Sequence, residues 1–309
     1  MPIRTRQEQE AFERALQSVS GEAPLSVDEL DALSALEPPF LDRYAEVWRT
    51  LGSDAKRGLL NACRAAADER LRLDFSALNR LALDDADAAV RLAGVQAALE
   101  DRGAPLLRRL LDMVRSDPSQ AVREAAANDA ARFALLAELE DLDPELTRVL
   151  RETLLSAVND PGESAEVRSA ALASLGYFSD SEVAGLLASS FTDPELRVGA
   201  VRGMGRGADP RWTDRLLPLL GSNDPRQRLE AAVALGEIED DRAVGPLSEV
   251  IDDPDEPVRL AVIQALGAIG GDEAREALLY LLEDKDDVIR EAGERAIREL
   301  EFYEDPLGL

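Results

Sequence analysis

Two short acidic runs hold the residues of this chain whose types and spacing could bind a metal ion. They are residues 252–255 (Asp-Asp-Pro-Asp) and residues 284–287 (Asp-Lys-Asp-Asp). Clustered carboxylates are the ligands that hard cations such as calcium prefer. However, the chain has 62 acidic residues, so acidic neighbours arise from composition alone. We interpret both runs as helix caps and solvated turns, and we predict no metal site.

Histidine is absent from the sequence. Without it the chain cannot form a serine–histidine–aspartate triad, a cysteine–histidine pair or a histidine metal site. Residues 203–207 (Gly-Met-Gly-Arg-Gly) resemble a phosphate-binding loop only superficially, because no predicted strand precedes them. Cys63 is the only cysteine, and a lone cysteine is typical of a small buried side chain. We therefore predict no catalytic residue, no cofactor and no enzymatic activity.

The net charge of −27 limits the classes of partner. An extended anion repels nucleic-acid phosphates and anionic lipid headgroups, so we expect neither nucleic acid nor a membrane as partner. The acidic surface has two interpretations, which are solubility in a salty cytoplasm and attraction of basic proteins. No run approaches the length of an apolar membrane span and no signal-peptide core follows the N-terminus, so we expect a cytoplasmic protein.

An internal repeat is the strongest feature of the sequence. Residues 253–267 recur as near-copies when their central arginine is aligned, and the last four steps are 29, 31, 31 and 31 residues. A fixed period near 31 residues predicts a solenoid of stacked repeats. The arginines that mark the repeats are Arg91, Arg123, Arg168, Arg197, Arg228, Arg259 and Arg290.

Each period has the apolar spacing of two helices. Asp-Pro pairs predict helix N-caps, because Asp accepts hydrogen bonds from the first turn and Pro needs no partner there. Glycines predict the ends of the second helices, where a left-handed residue is favoured. The Asp-Pro aspartates are Asp117, Asp160, Asp193, Asp224 and Asp253, and the glycines are Gly176, Gly205, Gly236 and Gly267. No segment alternates with a period of two, so the predicted fold class is all-α.

Residues 241–247 (Asp-Arg-Ala-Val-Gly-Pro-Leu), followed by residues 253–267, resemble the HEAT-like repeat of the phycobiliprotein-lyase type. The resemblance covers residues 39–301 and is clearest from residue 160 onward. It implies an α-solenoid of about eight helix pairs and is nearly silent on function. Some HEAT-like relatives are di-iron hydroxylases, which need histidines that this chain lacks. Others are DNA glycosylases, which need a cationic groove.

Three segments depart from the repeat. Residues 1–38 form an N-terminal extension, with a predicted helix over 6–19 and a break at 20–24, which either caps the solenoid or is a mobile arm. The step from Arg123 to Arg168 lengthens to 45 residues, where residues 119–139 predict a longer second helix. This insertion, residues 124–165, either has no functional role or provides a contact surface. Residues 302–309 form a tail after the solenoid of residues 39–301.

The repeated arginine and its neighbours have fixed directions on the second helix. The arginine lies beside the apolar stripe, so we expect it to pair with Asp or with backbone carbonyls of the adjoining repeat. Residues one and five positions later point away from the core, onto the surface that is concave in this family. Either they bind a partner or curvature buries them between helices. The candidate partner-binding residues are Val198, Arg202, Leu229, Val233, Leu260 and Gln264.

These observations predict a monomeric, non-catalytic scaffold that binds a helix or an extended segment of another protein. A basic segment would suit the charge of the chain. The alternative is a role like that of bilin lyases, which act on tetrapyrroles of phycobiliproteins, because the repeat type is shared. A third possibility is acidic mimicry of nucleic acid to occupy a basic protein.

Overall fold

The structure is a computed structural model that describes residues 5–19, 25–70, 72–98 and 101–304, with the backbone alone for residues 303–304. Over these ranges all regular secondary structure is helical, which confirms the all-α prediction. The chain forms two compact units, Met1–Phe133 and Ala134–Leu309. The predicted break at residues 20–24 and the tail residues 305–309 lie outside the described ranges.

The first unit begins with two helices that precede the repeats. Its helices are α1 Arg6–Val19, α2 Val27–Leu33, α3 Phe40–Trp48, α4 Ser53–Glu69, α5 Ser76–Leu83, α6 Ala88–Ala97 and α7 Ala104–Ser116. A further helix, α8 Gln120–Glu138, crosses the boundary between the units. α1 has the bounds that the sequence predicts, and α8 is the expected longer second helix.

The second unit continues the alternation of first and second helices. Its helices are α9 Pro144–Asn159, α10 Ala165–Leu175, α11 Ser181–Ser190, α12 Arg197–Arg206, α13 Thr213–Leu216, α14 Pro225–Ile238, α15 Val244–Glu249, α16 Glu256–Ile269, α17 Gly271–Tyr280 and α18 Asp287–Glu304. Short 3-10 turns flank the first helices α13, α15 and α17. From α3 to α18 the described helices form eight pairs, as the repeat count predicts.

The N-terminal helix α1 packs its apolar face into the first unit. Phe12 and Leu16 are buried there. The ring of Phe12 meets the ring of Phe40 in α3 edge-on, with 5.1 Å between the centroids. Edge-to-face packing of aromatic rings adds to the stabilisation from burial. α1 therefore covers apolar side chains at the start of the helix pairs.

Four of the five Asp-Pro aspartates do not cap helices as the sequence predicts. Only Asp224 is an N-cap, and it accepts the N–H of Arg226 at 3.0 Å. The other four lie earlier, in the turn between the two helices, where each accepts the N–H two residues ahead. They are Asp117, Asp160, Asp193 and Asp253. The prediction was wrong because this side-chain turn and a cap use the same residue type.

The predicted role of the repeated glycines was also wrong. Gly205, Gly236 and Gly267 lie inside α12, α14 and α16, and Gly176 ends α10 with a right-handed backbone. The left-handed ends of α14 and α16 are Glu239 and Gly270 instead. α14 and α16 therefore each extend two residues past the glycine that was expected to end them.

The glycines allow consecutive second helices to touch. A Cβ added to Gly236 of α14 would lie 2.8 Å from the Cα of Ala265 in α16. A Cβ on Gly205 of α12 would lie 2.7 Å from the Cα of Ala234 in α14. Carbon atoms do not approach so closely without strain, so a side chain at these positions would push the helices apart. The repeat needs glycine there for packing rather than for backbone conformation.

The last helix, α18, is polar where the preceding second helix is apolar. Glu294 and Arg298 occupy the repeat positions of Ile263 and Gly267 in α16. Gly267 faces Ala296 of α18, whereas Glu294 and Arg298 are exposed and their charged groups lie 3.7 Å apart. Another second helix could pack on this face of α18 only by burying both charges. α18 therefore has the polar outer face of a terminal repeat.

We predict opposite effects of alanine at two helical glycines. Gly236→Ala should lower the free energy of unfolding by about 1–3 kcal/mol, because the new methyl group would overlap α16. Gly185→Ala in α11, where nothing lies within 4 Å of the added Cβ, should raise it by about 0.5–1 kcal/mol through helix propensity. Urea unfolding followed by circular dichroism measures both. Equal effects of the two substitutions would contradict the proposed packing role.

Candidate functional site

We call the seven arginines that mark the repeats the arginine ladder. They bond each second helix to the turn that precedes it. In six repeats the guanidinium donates to the backbone carbonyl six residues earlier, at 2.8–3.0 Å. The six bonds join Arg91 to Asp85, Arg123 to Asp117, Arg197 to Phe191, Arg228 to Ser222, Arg259 to Asp253 and Arg290 to Asp284. Arg168, after the insertion, donates to the carbonyl of Val158 instead. The ladder residues therefore hold the turn between the two helices of a repeat.

Arg91, Arg228 and Arg259 also reach an aspartate of the next repeat, Arg259 through an ion pair with Asp286 at 3.5 Å. Arg228 donates two hydrogen bonds to the Asp253 carboxylate, at 2.6 and 2.8 Å. Arg91 makes the same pair of bonds to Asp117, both at 2.8 Å. The hydrogen bonds from Arg228 hold the pKa of Asp253 below its ordinary value. These bidentate pairs fix one repeat against the next.

The six candidate partner-binding residues lie on one surface of the second unit. We call the outward side of α10, α12, α14, α16 and α18 the second-helix face. Gln264 is exposed and Val233 is 38% exposed, whereas Val198, Arg202, Leu229 and Leu260 are half-buried. Half-burial lies between the two expectations, which were a fully open surface and complete burial between helices.

Arg202 is already engaged within the chain. Its Nε donates to Oε2 of Glu230 in α14 at 2.7 Å, and its Nη2 donates to Oε1 of the same carboxylate. Glu230 is buried. The ion pair therefore spans the contact between α12 and α14, and Arg202 is less accessible to a partner than a rim residue would be.

Arg206 lies nearer the end of α12, between Tyr177, which follows α10, and Glu237 of α14. Its guanidinium lies 5.7 Å from the ring centre of Tyr177, a distance suited to a cation–π contact. Burial lowers the pKa of Arg206, and burial raises the pKa of Glu237 in α14, which interacts electrostatically with it. Long charged side chains thus fill the space between α12 and α14.

Between α16 and α18 the corresponding space is open. A cavity of about 620 Å³ lies there, and we call it the α16/α18 groove. Leu260, Ile263 and Leu300 contribute apolar lining. Its polar lining residues are Glu239, Gln264, Arg295 and Glu299. Two of the six sequence candidates, Leu260 and Gln264, therefore meet in one concave site.

The groove exists because three side chains are shorter than at α12 and α14. At α12 and α14 the three residues are Arg202, Arg206 and Glu230. At α16 and α18, two repeats later, the corresponding residues are Gln264, Ala268 and Ala292. Alanine cannot span the distance that an arginine or a glutamate fills, so the space between the helices stays accessible. The acid is retained, since Glu299 stands at the position of Glu237.

Sequence reasoning missed Ala268, Glu239 and Glu299 as groove residues. The sequence indicates the gap at Ala268 through the residue nine positions after each ladder arginine, from Arg168 onward. That position reads Tyr177, Arg206, Glu237, Ala268 and Glu299 along the repeats. A single alanine among large side chains marks a gap, but only when consecutive second helices are known to touch.

No metal centre is found in the described part of the chain. There, no group of three or more Asp, Glu, Cys or His residues is placed to hold an ion. In the two acidic runs, Asp253 pairs with Arg228, and Asp284 accepts the N–H of Asp286 at 2.7 Å. Within the same residues, no helix has the length and apolar character that crossing a bilayer requires.

Residues 184–257 and 213–298 match HEAT repeats. This part of the chain consists of HEAT repeats. The match falls on α11 to α18 and includes the residues that line the α16/α18 groove except Glu299 and Leu300. It does not distinguish the phycobiliprotein-lyase type, which stays a resemblance. No curated protein matches the chain by sequence.

Several solved structures are similar to this chain. The Escherichia coli protein YibA is 19% identical, with 97% of this chain and 99% of that one covered and a TM-score of 0.42. Human deoxyhypusine hydroxylase is 18% identical, with 95% and 96% covered and a TM-score of 0.38. Kap95p, from a complex with RanGDP, is 16% identical, with 95% and 47% covered and a TM-score of 0.40. These likenesses are too remote to carry a function to this chain.

We predict that Arg228→Gln lowers the stability of the protein at neutral pH. The folded-state pKa of Asp253 lies below its unfolded value, so the pair stabilises the fold above about pH 4 and loses this effect as the pH falls through the folded pKa. The difference in unfolding free energy between wild type and variant should therefore shrink on acidification. Denaturant unfolding at a series of pH values measures it. Arg226→Gln, an exposed arginine of the same helix, is the matched control, and an equal effect there would contradict a specific pair.

Proposed function

We propose that this HEAT-repeat protein is a scaffold that binds a segment of another protein on the second-helix face of its second unit. The α16/α18 groove carries this proposal. Its volume, about 620 Å³, lies in the range of sites that hold ligands or side chains of a partner. An extended or helical segment lying along the second-helix face would insert side chains into it.

The composition of the groove supports binding rather than covalent chemistry. Leu260 and Ile269 are partly exposed and offer apolar area, while Gln264 and Arg295 can form hydrogen bonds at the edge. An apolar centre with a polar rim is typical of protein-binding surfaces. The lining has no serine, threonine, cysteine or lysine that could act as a nucleophile.

The rigidity of the site also supports a scaffold. The groove walls are two helices held together at Gly267 and Ala296, and the turn before α18 is fixed by Arg290. A preformed site loses little conformational entropy when a segment binds. The bilin-lyase alternative gains no support from the groove and stays a prediction.

The charge of the chain favours basic segments as partners. With a net charge of −27, long-range attraction would increase the association rate of a cationic segment. The same charge opposes binding of nucleic acid. We expect this attraction to weaken as salt concentration rises.

The test is selection of binders from a library of random displayed peptides against the full chain. We predict that the tightest selected peptide binds Gln264→Trp about 10-fold or more weakly than wild type, since the indole would fill the groove. Titration calorimetry measures the affinities. Glu276→Trp, which places the same side chain on an exposed position of first helix α17, is the control and should bind normally. If no peptide binds, or if both variants bind normally, the second-helix face is not the binding site.

A further inference from the structure

We propose that the α16/α18 groove receives an arginine side chain of the partner segment, in the place that Arg206 fills within the chain at α12 and α14. This inference rests on the proposed function and adds the chemistry of the bound group. It follows from comparing two contacts of the same repeat geometry. One is filled by the chain's own side chains, and the other is open.

The acid opposite the missing arginine is still present. At the filled contact, Arg206 of α12 interacts electrostatically with Glu237 of α14. At the open contact, Ala268 takes the place of Arg206, but Glu299 takes the place of Glu237. Among the described residues, Glu299 has no ion-pair partner, and neither has Glu239 on the same groove. The groove therefore has two carboxylates available to an incoming cation.

The groove lining also suits the stem of an arginine. Its methylene groups can lie along Leu260 and Ile269, which are partly exposed, while the guanidinium reaches the carboxylates at the rim. The planar guanidinium can donate two hydrogen bonds to one carboxylate, as Arg228 does to Asp253. Lysine offers a single point charge, so we expect it to bind more weakly than arginine.

Arg295 is the one cation among the lining residues of this groove. It lies one helical turn before Glu299, at a spacing from which it can approach the same carboxylate. A partner arginine must compete with it for Glu299. Removing the charge of Arg295 should therefore strengthen binding, whereas removing the charge of Glu299 should weaken it.

The experiment uses the tightest selected peptide and four variants of the full chain. Peptides should share an arginine whose replacement by citrulline, its neutral analogue, lowers affinity about 10-fold or more. Ala268→Arg should abolish binding, because the new side chain would occupy the groove as Arg206 does. Glu299→Gln should lower affinity for the arginine peptide but not for the citrulline peptide. Arg295→Gln should raise it.

Glu291→Gln controls for the change in net charge. Glu291 is an exposed acid of α18 that does not line the groove, so this variant should bind like wild type. Thermal unfolding of each variant confirms that the fold is retained.

The outcomes separate this inference from the function on which it rests. Peptides that lose affinity on Gln264→Trp but contain no required arginine would overturn the inference and leave the scaffold in place. Equal losses for Glu299→Gln and Glu291→Gln would show that only net charge matters, and would overturn it too. If no peptide binds the chain, both proposals fail.

Discussion

Direct contact between consecutive second helices is the constraint on which the second unit depends. At Gly205 and Gly236 the helix backbone meets the alanine of the next helix with no side chain between them. This contact sets the distance from one repeat to the next before any other side chain is placed. The arginine ladder then acts across a spacing that is already fixed. Arg228 can reach both the carbonyl of Ser222 and the carboxylate of Asp253 because the two repeats lie at that distance.

The same spacing determines where a binding site can form. When neighbouring helices are held at a constant distance, the surface between them is shaped only by the side chains that project beside the contact. At α12 and α14 these side chains are long, Arg202 and Glu230 form an ion pair, and the surface is filled. At α16 and α18 they are short, and the same backbone leaves a groove. A change of residue type at three positions therefore creates a site without any change of fold.

The sequence was sufficient to predict the fold because the fold repeats. Seven arginines, spaced by about 31 residues except across the 45-residue step, indicated a repeat, and an apolar period of three to four residues indicated helices. Errors arose where one residue type has two uses. Asp253 and Gly236 were interpreted as local caps, whereas the first forms a turn and an ion pair and the second makes a contact between repeats. Local patterns cannot distinguish these uses, since the deciding partner lies one repeat away.

The candidate site was predictable only in part, for a related reason. Leu260 and Gln264 could be placed on the second-helix face by counting along one helix. The groove itself depends on Ala268 and Ala292, which belong to different helices. Their small side chains leave the space between the two helices unfilled. A helical wheel describes where a side chain points. It does not describe the volume between two helices, because that volume depends on the distance between them.

The polar outer face of α18 determines how an array of this kind can change in length. A duplicated copy of α15 and α16, inserted before α17, would find a matching small-residue contact on either side. The same copy added after α18 would meet Glu294 and Arg298 where it needs an apolar surface and a glycine. The packing therefore allows the array to gain a repeat between α16 and α17, whereas growth beyond α18 would require different residues on its outer face.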